Sequence, residues 1–296
     1  MKDIRIRDLP SYVRTIDSED FFLSYGKVAA QGSLKAKGLI LNTFDLLEAD
    51  VVNALKPMFP NVYTIGPLHT MLGQAITEIS PIKSLRLNLW GEDHGYMQWL
   101  NKQQEGSVIY VNFGSIATVS YEQIIEFAWG LANSNRPFLW VIRPDLVNGD
   151  NVVFPEEFVE GTKERCYLAS WCSQEEVLSH ASVGGFLTHC GWNSTLESIC
   201  SGVPMMCWPG FADQCTNTRY VCKEWGIGME IDKDVVRDQV TTVVKELMEG
   251  EKGGEMRKNV LKWKESAKLA IMQGGSSHEN LVRFTKDLNA MKMGSS

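Results

Sequence analysis

Residues 107–142 have the sequence SVIYVNFGSIATVSYEQIIEFAWGLANSNRPFLWVI, and this stretch decides the fold class of the 296-residue chain. It begins with a β-rich apolar run, SVIYVNF, and ends with a second one, PFLWVI. Between them, in Tyr121–Asn133, apolar residues recur at the spacing of one helix face. A strand, a helix and a strand with short connections predict a parallel sheet with helices on both faces.

The alternation of strands and helices continues towards the C-terminus. Predicted strands are Cys166–Ala169, Gly184–Thr188, Pro204–Cys207 and Ile227–Ile231, and predicted helices are Gln174–Ser179, Ser194–Ser201, Ala212–Trp225, Asp238–Met248, Gly254–Met272 and His278–Met291. The strands are apolar throughout, as expected for strands that are covered on both sides. The pattern therefore predicts an α/β fold with a doubly wound, Rossmann-like parallel sheet.

The first part of the chain predicts a smaller α/β unit. A strand at Lys37–Thr43, a helix at Leu46–Leu55 and a strand at Asn61–Ile65 precede a stretch from Gly66 to about Gly95 without clear periodicity. We expect that stretch to be a linker. Two strands are few for a free-standing parallel sheet. The unit therefore either adds strands to the main sheet or is the tail of a domain whose beginning lies outside this sequence.

Composition and charge argue against several classes of function. The net charge is −7 and no basic stripe is present, which disfavours nucleic acid as the main partner. No apolar run approaches the roughly 20 residues of a membrane span, and the charged start, MKDIR, lacks the apolar region of a signal peptide. We therefore expect a cytoplasmic protein without an integral membrane segment. The seven cysteines have no C-x-x-C spacing and are expected to be small buried hydrophobic residues.

Residues 185–197 (GFLTHCGWNSTLE) predict a strand, a tight turn and the start of a helix. Glycine in the turn permits close backbone approach, and Asn193 or Ser194 is a good N-cap. The free amides and the dipole of a helix N-terminus attract an anion, and His189, just before the turn, could donate to a phosphate oxygen. From these residues alone two interpretations stay open: a phosphate-binding turn, or a capped turn without a ligand.

Signatures of several other enzyme classes are missing. The sequence has no G-x-G-x-x-G of NAD-binding proteins and no G-x-x-x-x-G-K-[ST] of P-loop NTPases. It has no G-x-S-x-G of hydrolases and no H-E-x-x-H of zinc proteases. None of its five histidines pairs with another at metal-ligand spacing, so we expect neither a metal site nor a bound cofactor.

The segment Trp171–Gln214 resembles the 44-residue signature of the plant secondary-product glycosyltransferases, which are family 1 UDP-glycosyltransferases. It begins WCSQ, contains HCGWNS and GVP, and closes with Asp-Gln. The runs SVIYVNFGS, FAWGLANSN, ILNTF and YTIGPL resemble the same family, most strongly its cyanohydrin, iridoid and steviol glucosyltransferases. One position departs from the signature: Ser173 stands where the family more often has proline. Because proline would fix φ at this position, its absence is expected to loosen the turn after Trp171 slightly.

The resemblance implies a two-domain GT-B fold whose C-terminal domain holds a UDP-sugar donor. Trp171 would stack its flat indole on the flat uracil base, and the backbone of Cys172 would pair with the edge of the base. Gln174 and Glu197 would hold the ribose hydroxyls, because a carboxylate can accept hydrogen bonds from both.

The resemblance also implies contacts to the rest of the donor. The diphosphate would be held at the helix N-terminus by Ser115, His189, Asn193 and Ser194. The sugar, which the closing glutamine marks as glucose, would contact Trp192, Asp213 and Gln214.

The implied reaction is inverting O-glucosylation of a small lipophilic plant metabolite from UDP-glucose as co-substrate. In the family, a histidine near the start of the N-terminal domain is the general base and an aspartate supports it, since a base must reach the attacking hydroxyl. Neither residue has a counterpart here. His69 and His94 fall in the linker, His180 and His189 in the signature, and His278 near the C-terminus. We therefore expect that this chain alone has no catalytic residue, binds UDP-sugar weakly and transfers glucose poorly or not at all.

The resemblance sets the expected domain boundaries. Residues 1–68 would be a remnant of the N-terminal acceptor domain, 69–95 the interdomain linker, 96–273 the C-terminal UDP-sugar-binding domain, and 274–296 a C-terminal helix packing toward the N-terminal domain. Apolar surface is therefore expected to be exposed on residues 1–68 and on the last helix. Two alternatives to an active enzyme are a non-catalytic UDP-sugar-binding module that acts with a partner chain and an inactive truncated fragment.

Overall fold

The structure, a computed structural model, describes residues 3–75, 91, 93, 95–147 and 152–293. Most of the predicted linker, including His94, and the last three residues of the predicted C-terminal helix region lie outside the described residues. The chain divides between residues 86 and 87, and again between 261 and 262, into two compact units. Within the described ranges, no helix is long and apolar enough to cross a membrane.

The elements alternate along most of the chain. The strands are β1 Leu39–Leu41, β2 Val62–Thr64, β3 Val108–Asn112, β4 Phe138–Val141, β5 Cys166–Ala169, β6 Val183–Thr188, β7 Met205–Cys207 and β8 Gly228–Glu230. The helices are α1 Phe21–Ser33, α2 Ala49–Leu55, α3 Leu68–Ala75, α4 Tyr96–Leu100, α5 Tyr121–Asn133, α6 Glu156–Thr162, α7 Gln174–Ser179, α8 Trp192–Ser201, α9 Gln214–Arg219, α10 Arg237–Glu249, α11 Glu251–Ile271 and α12 Ser276–Met293.

The first unit contains a two-stranded parallel sheet of β1 and β2. Leu39 lies opposite Val62, and Leu41 lies opposite Thr64. A small apolar cluster that includes Val52 of α2 packs against this pair. Among the described residues the two strands form their own sheet and do not join the six others, so the first of the two alternatives left open by the sequence is wrong.

Helix α12 packs along β2 in the first unit. The side-chain amide of Asn280 donates to the carbonyl of Thr64 over 3.2 Å, and the guanidinium of Arg283 donates to that of Val62 over 2.6 Å. The phenol of Tyr63 donates to Asp287 over 2.6 Å. Side chains of this helix therefore satisfy backbone carbonyls of β2 that have no strand partner.

Helix α1 was not predicted from the sequence. Asp20 caps it by accepting a hydrogen bond from the backbone N–H of Leu23. No residue of the helix is buried, and apolar side chains such as Phe21 and Val28 are about two-thirds exposed or more. The apolar surface expected on this part of the chain is therefore present.

The second unit is built on a six-stranded, all-parallel sheet with the strand order β5-β4-β3-β6-β7-β8. The central pair, β3 and β6, sets Asn112 opposite Thr188 at their carboxyl ends. The chain leaves this pair in one direction through β4 and β5 and in the other through β7 and β8. The predicted doubly wound sheet is thus observed, and its strand order reverses between β3 and β6.

Helices α5 and α10 cover one face of this sheet and pack closely against each other. A capping box between Ser120 and Gln123 starts α5. A Cβ added to Gly130 of α5 would lie 2.5 Å from Cβ of Val240 of α10, so the glycine permits the contact. Phe127 is fully buried in the cluster beneath the helices. This layer fixes the β3 strand on which the candidate site depends.

Further helices also differ from the sequence prediction, among them α4 and α6, which were not predicted, and the following three. Helix α3 lies in the stretch predicted as a linker. Its first backbone N–H, that of Leu68, donates to the side-chain oxygen of Asn42, 26 residues earlier. The predicted helix Ala212–Trp225 is shorter, because α9 ends at Arg219 and a π-turn follows at Tyr220–Glu224. Helix α8 begins two residues earlier than predicted, at Trp192.

Candidate functional site

A cleft of about 520 Å³ opens at the carboxyl ends of β3 and β6, where the strand order reverses. Ligands bind at this place in doubly wound sheets because loops diverge there and leave a crevice. The residues lining this central cleft are Asn112, Gly114, Ser115, Trp171, Cys172, Gln174, His189, Gly191, Trp192, Asn193, Ser194 and Glu197.

Nine of the eleven donor-binding residues predicted from the sequence line the central cleft. They come from three separate parts of the second unit: the loop after β3, the loop after β5 with α7, and the turn between β6 and α8 with the first turns of α8. The two that do not line the central cleft are Asp213 and Gln214, at the start of α9.

Asp213 and Gln214 are held in place by hydrogen bonds at the start of α9. Gln214 is buried, and its Oε1 accepts from the backbone N–H groups of Gly210 and Phe211 over 2.9 and 3.1 Å. Asp213 accepts from the amide of Asn217 over 2.8 Å, and the same amide donates to the carbonyl of Cys190 over 3.0 Å. Asn217 therefore links Asp213 to the turn that begins α8, and Gln214 is fixed to the loop just before α9.

The tight turn predicted between β6 and α8 is present, but the helix after it starts at a different residue. Cys190 has a φ of 61°, and Gly191, not Asn193 or Ser194, is the N-cap of α8. The predicted N-caps are wrong because Gly191 already has extended backbone angles, which place Asn193 and Ser194 within the first helical turn. Their side chains are thereby directed to the central cleft rather than to the helix end.

His189 is held between two glycines. A Cβ on either Gly114 or Gly191 would lie 2.5 Å from Nε2 of the ring. Burial lowers the pKa of His189 to about 4, against smaller opposing effects of the Asn112 backbone and the Asp213 carboxylate. The ring is therefore neutral at physiological pH, and its buried Nδ1 makes no hydrogen bond to any described residue.

A buried hydrogen-bond network forms the floor of the central cleft. Asn112 donates through Nδ2 to the Tyr110 hydroxyl over 2.9 Å and to Gln174 Oε1 over 3.0 Å. Gln174 in turn donates through Nε2 to Ser194 Oγ over 2.8 Å and to Glu197 Oε2 over 2.5 Å. Sequence reasoning missed Tyr110 and Asn112, although a polar residue that ends an apolar strand beside the reversal of strand order is a usable signal.

Glu197 is the acidic group of this network. Burial raises its pKa to about 7, while the hydrogen bond from Gln174 lowers it and the charge of Glu175 raises it further. Near neutral pH the neutral and the ionised form of this carboxyl group are therefore both populated. A ligand that donates hydrogen bonds to it favours the ionised form.

Ser173 adopts the backbone angle that proline would impose. Its φ is −69°, and its N–H donates to the hydroxyl of Tyr96 over 3.3 Å, a bond that proline could not make. Serine at this position therefore keeps the φ that proline would fix and adds a hydrogen bond to Tyr96. In the part of the chain that the structure describes, no group of three or more His, Cys, Asp or Glu side chains is placed to bind a metal ion.

Comparison with known proteins settles the family. The sequence profile of the family described as UDP-glucoronosyl and UDP-glucosyl transferase matches residues 33–265. The chain belongs to this family of UDP-glucoronosyl and UDP-glucosyl transferases. It is 52% identical over 285 residues to an (R)-mandelonitrile beta-glucosyltransferase of Prunus dulcis, covering 95% of this chain and 59% of that protein. It is also 52% identical to a 7-deoxyloganetin glucosyltransferase of Gardenia jasminoides, covering 97% and 60%.

Solved structures of UDP-glucosyl transferase relatives share the fold. Os79 from O. sativa in complex with UDP matches with a TM-score of 0.84 at 30% identity, covering 96% of this chain and 63% of that one. UGT2 of Phytolacca americana, complexed with UDP-2fluoro-glucose and pterostilbene, matches with a TM-score of 0.80 at 34% identity, covering 95% and 60%. The GT-B fold class and the family predicted from the sequence are confirmed. The chain spans about three fifths of the length of the curated relatives it matches.

Proposed function

We propose that this chain carries the donor-binding half of an inverting O-glucosyltransferase that uses UDP-glucose and acts on a hydroxyl of a small lipophilic plant metabolite. One observation supports this most strongly. Aromatic, amide, carboxylate and imidazole side chains meet around the N-terminus of α8 in one cleft of about 520 Å³, within the size range of small-molecule sites. The relatives named above as glucosyltransferases agree with this assignment.

The nucleoside is assigned to the end of the central cleft near Trp171. The half-buried indole of Trp171 offers a flat apolar face for the uracil base, and the backbone of Cys172 follows it in the same loop. The carboxylate of Glu197 accepts hydrogen bonds from the ribose hydroxyls, with Gln174 beside it.

The diphosphate is assigned to the N-terminus of α8. Free backbone N–H groups and the helix dipole attract the negative charge, and Ser115, Asn193 and Ser194 add side-chain donors along the same wall. His189, neutral because of its burial, donates one N–H without adding a charge. These groups stabilise the negative charge that develops on UDP as it leaves, which is the electrostatic part of catalysis.

The sugar is assigned to Trp192, Asp213 and Gln214. Trp192 lines the central cleft, and the hydrogen bonds of Asn217 hold Asp213 close to the turn between β6 and α8. In the proposed reaction the acceptor oxygen attacks the anomeric carbon, the bond from that carbon to UDP breaks, and the configuration inverts. We assign deprotonation of the acceptor to a histidine that this sequence does not include.

Binding of a UDP-sugar without transfer is a second candidate function, and one observation favours it. Among the described residues, His189 is the only histidine that lines the central cleft, and its ring is held between Gly114 and Gly191. With a pKa of about 4 it is a weak base at neutral pH. A radiolabel assay with UDP-glucose and a small alcohol separates the two functions: formation of a glucoside by this chain supports transfer, and binding without product supports the second candidate.

The donor site is tested by titrating UDP into the purified chain in a calorimeter. We expect wild type to bind UDP and Trp171→Ala to lose binding, because the base then has no aromatic face to stack on. Trp129→Ala is the matched control, since it removes an indole that lines a separate cavity beside Phe158. Failure of the folded wild-type chain to bind UDP, or equal binding by the Trp171 variant, would contradict the proposal.

A further inference from the structure

We propose that Asn112 is a positioning residue of the donor site: its side-chain amide fixes the orientation of the Gln174 amide, and Gln174 then holds Glu197 where it meets the ribose of the nucleotide. The inference rests on the proposed function and deepens it. Asn112 lies outside the signature segment, on the neighbouring strand β3, and it was not among the residues predicted from the sequence.

The orientation of the Asn112 amide is set by the backbone. The N–H of Gly114 can only donate, and it lies 2.9 Å from Oδ1 of Asn112. The other end of the side chain, Nδ2, therefore faces the Tyr110 hydroxyl and Oε1 of Gln174. Asn112 is only 7% exposed, so a reversed amide would leave a buried donor facing the Gly114 N–H.

The orientation of the Gln174 amide follows from that of Asn112. Its carbonyl end accepts from Asn112 over 3.0 Å and, over a longer 3.4 Å, from the Tyr110 hydroxyl. Its NH₂ end is thereby left to donate to Ser194 and Glu197. In the reversed orientation, two NH₂ groups would face each other at one end. At the other end a carbonyl oxygen would face the Glu197 carboxylate, which repels it.

The floor of the network is rigid. Tyr110 is fully buried and stacks on Phe186 with ring centroids 4.9 Å apart. Its hydroxyl contacts Cys172 Sγ at 3.5 Å, accepts from the amide of Asn112 and donates to Gln174 Oε1 over 3.4 Å. The phenol therefore cannot turn away to accommodate a different orientation above it.

Asn112 thereby joins two parts of the donor site. Through Oδ1 it holds the backbone at Gly114, which packs on the ring of His189 at the phosphate end. Through Nδ2 it acts on Glu197 at the nucleoside end by way of Gln174. Loss of the Nδ2 donor should therefore weaken recognition of the ribose hydroxyls in particular.

The test compares the affinities of UDP and 2′-deoxy-UDP for the full chain. We expect wild type to bind UDP roughly tenfold more tightly, because 2′-deoxy-UDP leaves a carboxylate oxygen without its donor. Asn112→Asp and Asn112→Leu both keep the approximate volume of the side chain and remove the donor to Gln174. Both should bring the ratio of the two affinities to within about twofold, chiefly by weakening UDP.

The controls separate positioning from a general loss of structure. Ser134→Ala removes a buried hydroxyl outside the central cleft and should keep the wild-type ratio. If Asn112→Leu does not give a cooperative melt, Asn112→Ser replaces it as the uncharged variant. A merely structural role would weaken both nucleotides equally and leave the ratio unchanged.

Each other outcome overturns a defined statement. If both variants keep the wild-type ratio of UDP to 2′-deoxy-UDP affinity, the positioning role is overturned. It is also overturned if only Asn112→Asp loses the preference for UDP, because the added negative charge would then be the cause. A wild type that binds both nucleotides equally overturns the positioning role and leaves the donor site standing. A folded wild type that binds neither overturns the donor site together with the inference.

Discussion

Replacing Glu197 by glutamine should stabilise the free chain at alkaline pH and weaken its binding of UDP. Burial raises the pKa of this carboxyl group to about 7 from its ordinary value of 4.5. A carboxyl group whose pKa is higher in the folded than in the unfolded chain lowers the stability of the fold as the pH rises from 4.5 through 7. Glutamine cannot ionise, so the variant escapes this loss while its Oε1 can still accept from Gln174.

The size of the effect follows from the two pKa values. At about 1.4 kcal/mol for each pKa unit, the gap corresponds to roughly 3 kcal/mol at pH 8. At pH 4.5 and below, the carboxyl group is largely neutral in the folded chain, and the stabilisation should fall under about 0.5 kcal/mol. Urea denaturation of wild type and Glu197→Gln at pH 8 and pH 4.5 measures this difference.

Binding should change in the opposite direction from stability. The neutral amide loses a charge-assisted acceptor for the ribose hydroxyls, and calorimetry at pH 8 should show a loss of roughly tenfold or more in UDP affinity. Wild-type affinity should rise between pH 6 and 8 more steeply than that of the variant. Glu160→Gln, which removes an exposed carboxylate paired with Lys163, should change stability by less than about 1 kcal/mol. Equal stability of wild type and Glu197→Gln at pH 8, or a larger gain at pH 4.5, would refute the reasoning.

Three further predictions follow from the packing. Gly191→Ala should weaken UDP binding about tenfold in calorimetry by displacing the ring of His189, because its methyl would lie 2.5 Å from Nε2. Gly161→Ala, a glycine in α6 with open space around its Cβ position, should leave UDP binding unchanged and raise the free energy of unfolding by up to about 1 kcal/mol. Unchanged UDP affinity in Gly191→Ala would contradict the first prediction, and weaker UDP binding by Gly161→Ala would contradict the second. Phe127→Ala should lower the free energy of unfolding in urea by about 3–5 kcal/mol, since the ring is fully buried; a loss under about 1 kcal/mol would show that the site collapses around the missing ring.

The sequence is informative where structure depends on local pattern. Helix α5 is predicted and observed with the same bounds, Tyr121–Asn133, because its apolar residues recur at helical spacing and pack on one sheet face. The all-apolar strands likewise predict a sheet that is covered on both sides. Nine of the eleven predicted site residues meet in one cleft because they lie in loops at the same edge of that sheet.

Contacts between residues that are far apart in the chain could not be predicted from the sequence. Asn112 and Gln174 are 62 residues apart, and nothing local to either shows that their amides are paired. The short helix α3 depends on a cap from Asn42, which comes from another loop. At the turn before α8, residue preference favours Asn193 or Ser194 as the N-cap, but the backbone angles place Gly191 there. At this turn the backbone conformation, and not the preference of a side chain for the N-cap position, decides where α8 begins.

The side chains of α12 have a consequence for self-association. The carbonyls of Val62 and Thr64 alternate with those that pair with β1, so they face the outer edge of β2. Arg283 and Asn280 occupy both of them. A strand from another molecule would have to displace a charged side chain and an amide before it could extend the sheet on this side. Helix α12 thus hinders edge-to-edge aggregation, as charged side chains do on the open edges of other sheets.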